Sequence, residues 1–157
     1  MRYINLIVFI LIFICSNTMA YEADIIMDIK KSKTSIYRDS GIFHNGIKDT
    51  KSTLMNLRHS GKNINSFERI VFDFEGKELP QVYAHINQNT KKLQIDFLST
   101  KLSKDIKPMF KSHRVLEVNF FPLANDVLST EVLIKENTYV EIFSLDNPTR
   151  LVVDFKN

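Results

Sequence analysis

The sequence predicts a mainly β fold: duplicated four-stranded units forming two packed sheets, a β-sandwich, with one short helix between the halves. Three observations predict it. Eight short runs rich in Val, Ile, Phe and Tyr are separated by turn residues. Several alternate strictly between apolar and polar residues. The last four runs echo the first four.

Met1–Ala20 is expected to be a secretory signal peptide. Arg2 supplies the positive start, Leu6–Cys15 is an unbroken apolar run of ten, and Thr18-Met19-Ala20 places small residues where signal peptidase cuts. An uncleaved anchor and lipidation at Cys15 are the alternatives. The polar Ser16–Thr18 break favours cleavage, and the bulky Ile14 disfavours lipidation. Export after Ala20 places the protein in the periplasm or cell envelope. Cys15, the one cysteine, then leaves with the leader, so no disulfide is expected in an oxidising compartment.

Residues 21–51 are polar and weakly patterned, with Lys30-Lys31-Ser32-Lys33 and the turn-like Asn45-Gly46. They are expected to form an N-terminal tether carrying at most one short strand. Residues 52–157 form the β domain, with repeats over about 53–98 and 115–155. Its runs are Thr53–Arg58, Glu68–Glu75, Gln81–Asn87, Lys91–Leu98, Val115–Phe121, Leu128–Lys135, Thr138–Ser144 and Thr149–Phe155. Ile70, Phe72 and Phe74 share one strand face, as do Leu93, Ile95 and Phe97, so each strand is half-buried. Leu102, Ile106 and Met109 or Phe110 fall at helical spacing, and Pro108 limits that helix to about two turns.

Composition narrows the function. The chain of 157 residues is 44% hydrophobic and 25% charged, as expected of one globular domain. Loss of Arg2 leaves 20 basic against 18 acidic residues, a net +2. That is too weak for a nucleic-acid binder. After signal cleavage no run is long enough to span a membrane. His44, His59, His85 and His113 lack ligand spacing, so no metal site and no cofactor is implied.

The repeat is explicit in Leu93-Gln94-Ile95-Asp96-Phe97 and Leu151-Val152-Val153-Asp154-Phe155, 58 residues apart. Val82 and Val140 keep that offset. The first two runs match at 62, pairing Leu54 with Leu116, Ile70 with Val132 and Phe72 with Ile134. The change implies a four-residue deletion in the loop between the second and third strands, where length changes cost little.

Arg69-Ile70-Val71-Phe72-Asp73-Phe74 and Asn147-Pro148-Thr149-Arg150-Leu151-Val152-Val153-Asp154-Phe155 resemble the strand-opening and closing motifs of the AMIN and AMIN-like domains. The resemblance covers about Leu54 to Phe155. It implies two similar four-stranded sheets and a non-catalytic role in the bacterial envelope. AMIN domains localise wall amidases and pilus secretins by binding peptidoglycan or a partner. The chain departs from that pattern where Thr130-Glu131-Val132 stands opposite Glu68-Arg69-Ile70, and it carries no amidase or secretin domain.

Chemistry has weak support. The carboxylate pairs Asp73 with Asp96 and Asp96 with Asp154 lie opposite apolar neighbours on their strands, so they are expected to face water. Binding has better candidates. Arg69 and Arg150 open strands after turns, and Tyr83, Lys91 and Lys92 lie near them as donors and a flat ring for glycan and peptide carboxylate. Arg69 and Arg150 could equally be spent on surface pairs with Glu68, Asp73 or Asp154. The expectation is an exported, non-enzymatic AMIN-like module that binds peptidoglycan or an envelope protein. The alternative is a periplasmic adaptor acting by strand addition without glycan binding. An enzyme built on a carboxylate site ranks last.

Overall fold

A computed structural model describes residues 34–37, 40–61, 67–87, 89–107, 109–110 and 112–156. The expected leader lies outside these residues. Twelve strands are present among them: β1 Thr34–Tyr37, β2 Ser40–Asn45, β3 Ser52–Ser60, β4 Glu68–Phe74, β5 Val82–Asn87, β6 Lys92–Phe97, β7 Thr100–Leu102, β8 Met109–Phe110, β9 Val115–Leu123, β10 Val127–Ile134, β11 Tyr139–Leu145 and β12 Arg150–Lys156. The eight expected runs are β3–β6 and β9–β12, each within two residues of its expected bounds.

The strands form two six-stranded sheets. Sheet A runs β1-β11-β12-β4-β3-β7 and sheet B runs β2-β5-β6-β10-β9-β8. A four-strand unit is therefore not a sheet, contrary to the sequence expectation. Each unit gives one hairpin to each sheet: β3–β4 and β11–β12 to sheet A, β5–β6 and β9–β10 to sheet B. Exchanging β3–β6 for β9–β12 converts one sheet's order into the other's.

The sheets pack through the faces the alternation marked. Ile70, Phe72, Leu93, Ile95 and Phe97 are fully buried in one cluster with Val132, Ile142, Val153 and Phe155. Across the layer, the Phe97 ring of sheet B lies 5.4 Å from Phe72 and 5.0 Å from Phe74, both tilted. Burying this apolar surface is what holds the layers together.

The backbone register corrects the copy alignment. A bulge follows Leu54, which faces Phe74, and another follows Val115, which faces Ile134. Superposing the bulges pairs Leu54 with Val115, Phe72 with Val132, Phe74 with Ile134 and Ile70 with Thr130. The strand offsets are then 61, 60 and 58, and the inter-strand loop is shorter by two residues, not four. Between β4 and β10 the slip is two residues, which preserves the strand face, so the hydrophobic pattern could not detect it; between β3 and β9 it is one, at the bulge.

Two further expectations change. Residues 34–37 and 40–45, assigned to a tether, extend both sheets: β1 pairs with β11 and β2 with β5. Gly46 makes the second possible. Its φ is +89°, and a Cβ there would sit 2.0 Å from the Pro80 carbonyl oxygen. The expected helix is absent among the described residues. Instead β7 pairs in parallel with β3, Ser103 N–H donates to Leu54 O, and a turn leads Ile106 against the core. So short a segment gains too few helical hydrogen bonds to offset nucleation, and β3 offers its edge instead.

Candidate functional site

Arg69 is spent within the protein. It faces Asp154 across β4 and β12, and its fork donates Nε to Oδ1 at 2.6 Å and Nη2 to Oδ2 at 2.7 Å. The guanidinium carbon lies 4.8 Å from the Phe67 ring centre and 5.5 Å from Phe143. Hydrogen bonding to Asp154, aided by the charges of Asp154 and Glu141, raises its pKa further above the ordinary arginine value. Arg58 does the same to Asp73, with two bonds of 2.6 Å. Lys156 is bonded to Glu141. Arg150 faces Asp73 in register but donates Nε to the Pro148 carbonyl at 3.1 Å. The outer face of sheet A thus carries the ion pairs Arg69–Asp154, Arg58–Asp73 and Lys156–Glu141.

Tyr83 and Lys92 belong to sheet B and Lys91 to the turn before β6, so the structure does not bring the five expected residues together. Lys91 pairs with Glu136 at 2.6 Å and Lys92 with Glu131 at 2.8 Å. Tyr83 is 47% exposed, with the His44 ring 5.5 Å away. The registers place Tyr83 opposite Asp96, Asp96 opposite Ser129, and Ser129 opposite Phe121. All four point outward, because Ala84, Ile95, Leu128 and Phe97 beside them point into the core. The row runs across four strands, roughly 14 Å at the usual strand spacing. It carries an exposed ring at each end, since Phe121 is also 47% exposed. Its centre is polar. The next row adds His85, Gln94, Glu131 and Asn119.

Sequence reasoning found Tyr83 and missed Phe121, Ser129 and the role of Asp96. The signal for Phe121 was present: Phe120 and Phe121 are adjacent, so a strand must turn one of them outward.

A Ser–His–Glu cluster lies at the opposite end of β3. His59 Nε2 is 2.8 Å from Glu68 Oε1, and Ser112 Oγ is 3.2 Å from the same nitrogen. A relay needs the two partners on opposite ring nitrogens. Here both partners lie on the same nitrogen, which is not the relay arrangement. Glu68 is buried and also accepts the Arg114 N–H at 2.6 Å. It ties β4 of sheet A to the chain entering β9 of sheet B.

The fold and this face define a class: a two-layer β module with a flat, aromatic-ended platform. Comparison with known proteins goes no further, for no family model, no curated protein and no solved structure matches the chain.

Proposed function

We propose that the protein is an exported β-sandwich module of the AMIN-like kind, without catalytic function, that binds peptidoglycan on the outer face of sheet B. The Tyr83–Asp96–Ser129–Phe121 row carries this reading. Sugar rings present flat C–H faces that pack on aromatic rings, and their hydroxyl and amide groups bond to carboxylate, hydroxyl and imidazole. A rigid sheet holds both kinds of group at fixed spacing, which limits the ordering cost of binding. The resemblance of Arg69–Phe74 and Asn147–Phe155 to AMIN motifs adds the wall as the polymer's source. Strand addition has less support, because the edge strands β1, β2, β7 and β8 are only four, six, three and two residues long.

The test is sedimentation with purified sacculi. The full chain is expected to co-sediment, Tyr83→Ala with Phe121→Ala to stay in solution, and Met55→Ala, at the exposed bulge of sheet A, to behave as wild type. Failure of the wild type to sediment would overturn the reading in favour of the adaptor.

A further inference from the structure

The two halves place the same aspartate in two settings. Asp154 on β12 and Asp96 on β6 are counterparts, and the residue facing each across the strand pair is Arg69 in one sheet and Ser129 in the other. Opposite Asp154, the protein shows what this position holds when filled. A cation takes both carboxylate oxygens and lies against the rings of Phe67 and Phe143.

Asp96 has no such cation. Ser129 Oγ donates to its Oδ1 at 2.5 Å, and Gln94 Nε2 reaches the same oxygen at 3.4 Å. Among the described residues Oδ2 receives no hydrogen bond. The nearby lysine does not supply one, since Lys92 Nζ lies 2.8 Å from Glu131. Tyr83 is the cross-strand neighbour of Asp96 on one side, and Phe121 stands beyond Ser129 on the other. A carboxylate oxygen without a donor from the protein, flanked by exposed rings, offers an acceptor to an external cation. The open oxygen also selects among cations. A guanidinium gains its full advantage by forking onto both oxygens, as Arg69 does on Asp154. An ammonium group is a point donor and needs one.

We propose that Asp96 anchors an ammonium subsite that takes the free side-chain amine of a diamino acid in the wall's stem peptide. The subsite rests on the reading of sheet B as a wall-binding face and names the group that face recognises. The sugar lies along Tyr83 and Phe121, and the peptide amine donates to Asp96 Oδ2.

The probe is a stem peptide with a free lysine ε-amine, titrated into the isotope-labelled full chain and followed by amide chemical shifts. The free amine should bind saturably and shift residues 83, 96 and 129. The ε-acetylated peptide should bind about tenfold more weakly, the loss expected when one charge-assisted hydrogen bond is removed. Asp96→Asn should lose the same factor. Ser129→Arg should fill the subsite from within, as Arg69 does opposite Asp154, and remove binding while keeping the native shift dispersion. Equal affinity for the free and acetylated peptides, or no binding of either, overturns the subsite. Sacculi separate the two levels. Equal sedimentation of wild type and Ser129→Arg overturns the subsite and leaves wall binding standing. A free-amine peptide that binds at Asp96, beside sacculi that do not sediment the protein, keeps the subsite and overturns the wall reading.

Discussion

The outer faces of the two sheets are built on one strand order and have opposite chemistry. On sheet A the row Glu141–Asp154–Arg69–Ser60 holds the Arg69–Asp154 fork, and Arg58 and Asp73 form a second fork on the diagonal between the next two rows. On sheet B the corresponding row is Tyr83–Asp96–Ser129–Phe121. One arginine accounts for much of the contrast. Where Arg69 is present the aspartate is closed and serves the fold. Where serine replaces it, the aspartate keeps an open oxygen. Two topologically equivalent halves let one side close its aspartate with an arginine and leave the other side's aspartate with an oxygen that no described residue bonds.

The comparison can be broken at several points. The largest effect separates core from face. Phe97→Ala, which removes a fully buried ring set against Phe72 and Phe74, should cost about 3–5 kcal/mol in urea unfolding. Phe121→Ala should change stability by no more than about 0.5 kcal/mol. A large loss from the second would mean that Phe121 supports the fold instead of facing a ligand.

Next come the paired aspartates. Asp154→Ala strands Arg69 beside a nearly buried site, the side-chain exposures being 33% for Arg69 and 5% for Asp154. It should cost about 2–3 kcal/mol, below the range for a fully buried pair because part of Arg69 stays in water. Asp96→Ala should cost less than about 1 kcal/mol. Equal losses would erase the distinction between the faces.

A smaller effect tests the corrected register. Thr130 occupies the core position whose counterpart is Ile70, and among the described residues its buried hydroxyl has no hydrogen-bond partner. Thr130→Val should raise stability by about 1 kcal/mol in the same unfolding measurement. A loss of similar size would show that the hydroxyl has a partner after all and remove that support for pairing Thr130 with Ile70.

The smallest concerns pH. Hydrogen bonding to Lys91, helped by its charge, holds the fully exposed Glu136 carboxyl below its ordinary value of 4.5. A carboxyl depressed in the folded state favours folding above its unfolded pKa, and that contribution fades as pH falls through the folded one. NMR titration should show Glu136 protonating at lower pH than an ordinary glutamate, and Lys91→Ala or added salt should restore it. A titration unchanged by Lys91→Ala would dissolve this pair.

Sequence patterning located the strands because alternation records which side of each residue meets the core. Ile70, Phe72, Leu93, Ile95 and Phe97 all face inward as the period of two requires. It misaligned β4 against β10 by two residues for the same reason. It made a helix of about two turns, ending near Lys107, because spacing alone cannot show that β3 has an open edge. It left Arg69 equally a ligand donor or a partner of Glu68, Asp73 or Asp154, because the register that sets Arg69 opposite Asp154, 85 positions away, is decided only in the folded sheet. Tyr83 was legible as an aromatic at an outward position. Ser129 was not, since a serine gains meaning only when seen to occupy the place of an arginine.

The amino-acid order by itself determined the elements, their buried faces and the likeness of the two halves, because these depend on neighbours a few residues apart. Only the tertiary structure decided which hairpin joined which sheet, which charges were closed by partners and which carboxylate oxygen stayed open. Those outcomes depend on register between strands far apart in the chain, where a shift of two residues leaves the hydrophobic pattern unchanged and gives every outward side chain a different neighbour.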